Sequence, residues 1–194
     1  MPQDAVAPAG DEDSFAMLEL PPALVQQAQE AIESEVAKAE PTDTSRVGEA
    51  MHWLLEHAAD TPQGWLPERV AQARRRFGAD ADQAARAETL ARRILTGDAA
   101  WAWAGGEVLE AFNEIELTHQ GQRLRIDRLV RRRAGAHGDE AWWVLDYKSA
   151  ARPERDALLV EQLGRYREAV SLIHPGQTVV AAFLSADGRV VSVG

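Results

Sequence analysis

Three residues in the second half of the chain have the types and spacing of a hydrolytic centre. Asp146-Tyr147-Lys148 closes the run Trp142-Trp143-Val144-Leu145, which reads as a strand. Side chains alternate faces along a strand, so Trp142, Val144, Asp146 and Lys148 share one face. Asp127 lies one strand earlier, in Leu124-Arg125-Ile126-Asp127-Arg128-Leu129. A hairpin would bring the two aspartates within metal-bridging distance. Two carboxylates beside a lysine are what a hydrolytic magnesium centre requires. Hard oxygen ligands hold Mg²⁺ while leaving it waters, the ion polarises a phosphodiester and acidifies water, and the ammonium orients that water or offsets developing charge.

A surface ion pair between Asp146 and Lys148 is the simpler reading, since such pairs are common at strand ends. Residue usage leans the other way. Of 21 basic residues only Lys38 and Lys148 are lysines, so a merely structural cation here would, by this chain's habit, be arginine. Lysine is the compact point charge whose pKa is readily tuned. His52 sits beside the apolar stripe of an early helix, where it reads either as a core-edge residue or as a neutral nitrogen ligand to the carboxylates. Gln162 and Tyr166 are one helical turn apart and point the same way, as an ordinary polar face or as a shell around the site. His57, His119, His137 and His174 read as surface residues.

The elements that must position these groups follow from periodicity. Residues 1–20 form an acidic lead-in and 22–39 have helical composition. Ser45 or Thr44 caps a helix through about Ala59, with Val47, Met51, Leu54, Leu55 and Ala58 as its apolar stripe. Two more helices cover 67–77 and 80–96, and 99–104 forms a helical turn with Trp101 and Trp103. Alternating segments at 107–119, 122–132 and 141–148 read as an antiparallel meander. An amphipathic helix over 156–173 and strands over 177–184 and 189–193 complete the order. The expected class is α/β. One domain spans 21–194, with a helical part (21–105) before a sheet core (106–194).

The 194 residues carry a net charge of -10 and no cysteine. Disulfides, thiolate zinc sites and cysteine-ligated iron–sulfur clusters are thereby excluded, and the chain is compatible with the cytoplasm. No GxxxxGK[ST] occurs, so no P-loop ATP site is expected. No apolar run is long enough to span a membrane. Acid is concentrated in 1–40, with nine acids and one base; 121–133 instead holds six arginines and one aspartate. A nucleic-acid partner is therefore compatible with the overall charge. Arg123, Arg125, Arg128 and Arg131–Arg133 flank Asp127, where they would track a phosphate backbone or simply solvate a hairpin. Arg74–Arg76 read as helix-surface charge. Trp101, Trp103 and Trp142–Trp143 would stack bases or fill the core.

The series His52, Glu114, Ile126-Asp127-Arg128-Leu129, Asp146-Tyr147-Lys148 and Gln162-Leu-Gly-Arg-Tyr166 resembles the RecB-type PD-(D/E)XK nuclease domain of helicase–nucleases such as AddA and RecB. The resemblance covers about 45–193. It implies a restriction-endonuclease-like core, a central mixed sheet flanked by helices. It implies metal ligands at His52, Asp127, Asp146 and the Tyr147 backbone carbonyl, with Mg²⁺ or Mn²⁺ as the ion. Lys148 becomes the catalytic lysine and Glu114 an auxiliary acid, while Gln162, Tyr166 and Arg128 support the site or the DNA. The implied activity is exonuclease-type cleavage of DNA, single-stranded at the site, in recombination and double-strand-break repair. A helicase motor in cis or in trans and a partner subunit are implied partners. Where the family often has glycine three residues before the metal aspartate, this chain has Leu124. The cysteines of the iron–sulfur relatives are absent, as is the motor, so the chain reads as an excised domain or a stand-alone relative. The rival expectation is a catalytically inactive DNA-binding or docking module with the same fold.

Overall fold

The computed structural model describes residues 43–58, 65, 67–135 and 138–194. The expected lead-in over 1–20, the helix over 22–39 and His137 lie outside the described residues. Helix α1 spans Asp43–Glu56 and buries the anticipated stripe of Val47, Met51, Leu54 and Leu55. It starts before the expected caps Thr44 and Ser45. Helix α2 (Pro67–Arg76) opens on proline, whose missing N–H costs nothing in a first turn. Helix α3 (Ala81–Thr96) is started by a reciprocal cap, in which Asp80 Oδ1 accepts from Gln83 N–H and Gln83 Oε1 from Asp80 N–H. A 3₁₀ turn follows at Ala100–Trp103.

The strands are β1 (Val108–His119), β2 (Gln122–Arg132), β3 (Ala141–Lys148), β4 (Val179–Ser185) and β5 (Val190–Val193). They form one mixed sheet in chain order. β1, β2 and β3 are an antiparallel meander, β3 and β4 are parallel, and β4 and β5 are antiparallel. A parallel step needs a crossover, which helix α4 (Ala157–Ile173) supplies, its first turn capped by Asp156. This is the restriction-endonuclease-like α/β architecture expected of the chain, a mixed sheet between helical layers.

Each face of the sheet has its own core. On one, Val130, Leu145, Tyr147, Ala182 and Leu184 meet α1 and α3. On the other, Trp142, Val144, Ala181 and Phe183 meet Leu163, Tyr166 and Val170 of α4. Both layers are needed because a strand buried on two faces has no polar side to show water. The tryptophans are packing residues. Arg132 lies over Trp101 and Arg128 over Trp103, and Trp101 meets Trp143 edge-on. The described histidines read as surface residues are partly buried. His57 Nδ1 is 2.8 Å from the Trp53 carbonyl, His119 Nε2 is 3.6 Å from Glu168, and the His174 ring stacks on Trp142 at 4.1 Å.

The end of α3 locks onto the β4–β5 turn through backbone alone. Asp98 N–H donates to the Gly188 carbonyl at 2.9 Å. A Cβ on Gly97 would stand 2.1 Å from that oxygen and 2.8 Å from the Arg93 carbonyl, so no side chain fits. Gly97→Ala is expected to destabilise the protein by about 1–3 kcal/mol. Gly105→Ala, which meets open space, should stay within about 0.5 kcal/mol. Urea unfolding of both variants checks the contrast.

Candidate active site

A cleft of about 460 Å³ gathers nearly every residue singled out by chemistry. His52 comes from α1, Glu114 from β1, Asp127 from β2, Asp146 and Lys148 from β3, and Gln162 and Tyr166 from α4. Both helical layers thus reach one end of the sheet. The register that pairs Arg128 with Leu145 carries Asp127 opposite Asp146. Two carboxylates only 8% and 5% exposed therefore face each other.

Their partners hold them there. Asp127 Oδ2 accepts from the Tyr147 backbone N–H at 2.7 Å, and its Oδ1 lies 3.3 Å from His52 Nδ1. Lys148 Nζ stands 2.6 Å from Asp146 Oδ2. That approach is an ion pair by distance but is not aligned as a hydrogen bond, and the buried oxygen has no other donor. Burial first, then the Asp127 charge, pushes the Asp146 carboxyl up to about 6, against the opposing pull of Lys148 and His52. Burial alone would lower His52, but its bond to Asp127 and that carboxylate's charge outweigh it and leave the imidazole raised. Across the cleft Gln162 Nε2 donates to the Tyr166 hydroxyl at 2.7 Å. Burial, then the charge of Asp146, raises that hydroxyl.

The backbone is irregular where the acids meet. Glu114 has φ 52 in mid-strand and lies opposite Asp127, since Asn113 pairs with Arg128 and Ile115 with Ile126. Strict alternation would put Ile126 on the face of Val130. Instead Ile126 shares the α4 layer with Leu124 and Leu129. The phase of β2 slips by one residue around Asp127. A left-handed φ on a non-glycine residue is costly and tends to be retained at functional sites. Glu114 forms an ion pair with Arg125 in the cleft wall.

One expectation needs correction. Arg128 does not line the cleft. It is 3% exposed, its guanidinium donates to the Ala102 carbonyl at 2.8 Å and to Asn113 Oδ1, and desolvation lowers its pKa. It faces Leu145 and the helical layer behind the sheet, the face opposite Asp127. The arginine run is divided in its settings. Arg131 is paired with Glu110 and Glu140, and Arg132 with Glu107. Of the run, only Arg125 reaches the cleft. Conversely Arg76 and Phe77, at the end of α2, do line it, although Arg74–Arg76 read as surface charge. No local sequence signal marks them, because their position depends on how α2 packs.

Among the described residues, no three His, Asp or Glu side chains already surround a common point as metal ligands. Asp146 is closed on Lys148 and Asp127 on His52 and an N–H. The donor set nevertheless fits a hard divalent cation. It offers two opposed carboxylates and an imidazole.

The model of the PD-(D/E)XK nuclease superfamily matches residues 24–191. Members of that superfamily are generally nucleases and typically use divalent metal ions. No curated protein matches the chain.

The folded Asp146 pKa lies above its unfolded value, so ionisation penalises the fold as pH rises from about 4 through 6. In EDTA, Asp146→Asn is expected to stabilise the protein at pH 8 by about 1–3 kcal/mol and to give little gain at pH 4. Added Mg²⁺ should reverse the order at pH 8 by stabilising only the wild type. Thermal melts at both pH values read all of this.

Proposed function

The chain belongs to the PD-(D/E)XK nuclease superfamily, and from that premise we propose that it is a Mg²⁺- or Mn²⁺-dependent deoxyribonuclease of the RecB type. The observation that carries the reading is the convergence of Asp127, Asp146 and Lys148 in one cleft. The metal would be held by Asp127, Asp146, His52 and the Tyr147 carbonyl. It supplies Lewis-acid polarisation of the phosphodiester and a more acidic water. Lys148 offsets charge developing on the phosphoryl oxygens or orients the attacking water. His52 and the Tyr147 N–H fix the Asp127 carboxylate. Glu114 is the auxiliary acid, and Gln162 and Tyr166 support the far wall or the strand.

The substrate is DNA, single-stranded at the site, cut in exonuclease fashion. The biological setting is recombination and double-strand-break repair, with a helicase motor in cis or in trans, a partner subunit and a cytoplasmic location. Residues 21–194 constitute the nuclease domain. No described helix is long and apolar enough to cross a membrane. The rival, an inactive DNA-binding or docking module, is disfavoured because every position of the acid–lysine set is filled.

End-labelled single- and double-stranded DNA with Mg²⁺ or Mn²⁺ tests the reading. Wild type is expected to cleave, Asp127→Ala and Asp146→Ala to lose detectable activity, and Lys148→Ala to lose at least about a hundredfold. Cleavage by Asp146→Ala at the wild-type rate would sink the proposal.

A further inference from the structure

The cleft holds a second feature, at the end of α2, that the hydrolytic set does not use. The sequence there is Arg74-Arg75-Arg76-Phe77-Gly78. Phe77 N–H donates to the Ala73 carbonyl at 3.1 Å and Ala79 N–H to the Arg74 carbonyl at 3.0 Å. Gly78, at φ 59, supplies the left-handed residue that such a helix end needs. The turn is fixed by its backbone, and it places Arg76 and Phe77 in the wall of the cleft that holds Asp127 and Asp146. The Arg76 guanidinium carbon lies 5.7 Å from the Phe77 ring centroid.

Two features of this pair suit a ligand. The other large aromatic side chains of the cleft wall are buried and engaged. Trp53 lies between Arg69 and His57, and Tyr166 is bonded to Gln162. Phe77 packs one part of its ring against the core beneath α1 and α3 and is otherwise partly exposed. Some arginines elsewhere face acids, as in Arg92–Glu88, Arg125–Glu114, Arg131–Glu140, Arg132–Glu107 and Arg189–Asp187, and others do not. Arg74, Arg75 and Arg76 have no acidic partner among the described residues, and all three are exposed. Cations suit a helix C-terminus. That accounts for the arginines on the last turn and core packing anchors Phe77, while the open part of its ring lies in the wall of the cleft that holds the acid pair.

We propose that Phe77 and Arg76 grip the substrate strand. The Phe77 ring stacks on an unpaired base, and Arg76 takes a phosphate beside it. A base inside a duplex is stacked on both faces, so the grip favours unpaired nucleotides at the entrance to the site. The identity of the strand rests on the nuclease reading; the stacking itself does not.

Fluorescence anisotropy of the full chain with labelled oligothymidylate and an abasic oligonucleotide of equal length, both in EDTA, separates base from backbone. Phe77→Leu keeps apolar packing and removes the aromatic face. It should weaken oligothymidylate binding about tenfold and leave abasic binding within about twofold. Phe77→Trp should restore the loss. Arg76→Ala should weaken both ligands and flatten the slope of log affinity against log salt by about 0.7. Equal loss on both oligonucleotides for Phe77→Leu, no loss on either, or no saturable binding by wild type would overturn the inference. A chain with the Phe77 dependence that cleaves nothing in Mg²⁺ keeps the grip and loses the nuclease. One that cleaves while ignoring Phe77 does the reverse.

Discussion

Two carboxylates buried opposite each other on adjacent strands repel in a medium that screens them poorly, and much of the surrounding structure answers that repulsion. Lys148 and His52 stand against Asp146 and Asp127 from different elements. A backbone N–H holds Asp127, and burial with mutual charge lifts Asp146 out of the usual carboxylate range. A stable fold that needed no chemistry there would place apolar residues at these positions, as it does at Val144 and Ala182. A divalent cation would turn that repulsion into coordination.

Much of this was legible before the structure. Asp127 and Asp146 meet because strand alternation and a hairpin are local rules. His52, Gln162 and Tyr166 meet them because helical spacing fixes which way each side chain points. The arginine run was illegible for a related reason. Counting charge in 121–133 treats all six guanidiniums as solvated, whereas the pleat turns Arg128 and Arg132 inward, over Trp103 and Trp101, and Arg131 finds acids on neighbouring segments. Alternation was the right tool, but applied to the carboxylate alone it left the fate of its neighbours unread. Arg76 and Phe77 carried no signal at all, since what brings them to the cleft is the packing of α2 on α1 and α3.

The slip in β2 shows where local rules yield to the site. With unbroken alternation Ile126 would turn to the α1 layer, and the α4 core would lose an anchor beside Asp127. The left-handed Glu114 across the ladder absorbs the extra half-period. Leu124, the position where the resembling family often has glycine, is buried in the α4 core. The unusual backbone conformation at this end of the sheet lies on β1, at Glu114, rather than at Leu124 of β2.

The connectivity of the site bears on how the chain assembles. Asp127 and Asp146 stand on consecutive strands, so their meeting requires closing only a short loop. His52 belongs to a helix separated from β2 in the chain by two more helices and a strand. Short closures precede long ones. Loop-closure entropy therefore favours meeting of the acid pair ahead of the imidazole that steadies it. In the open hairpin the two carboxylates are still in water and well screened, and the conflict between them arises only as the helical layers close over the sheet.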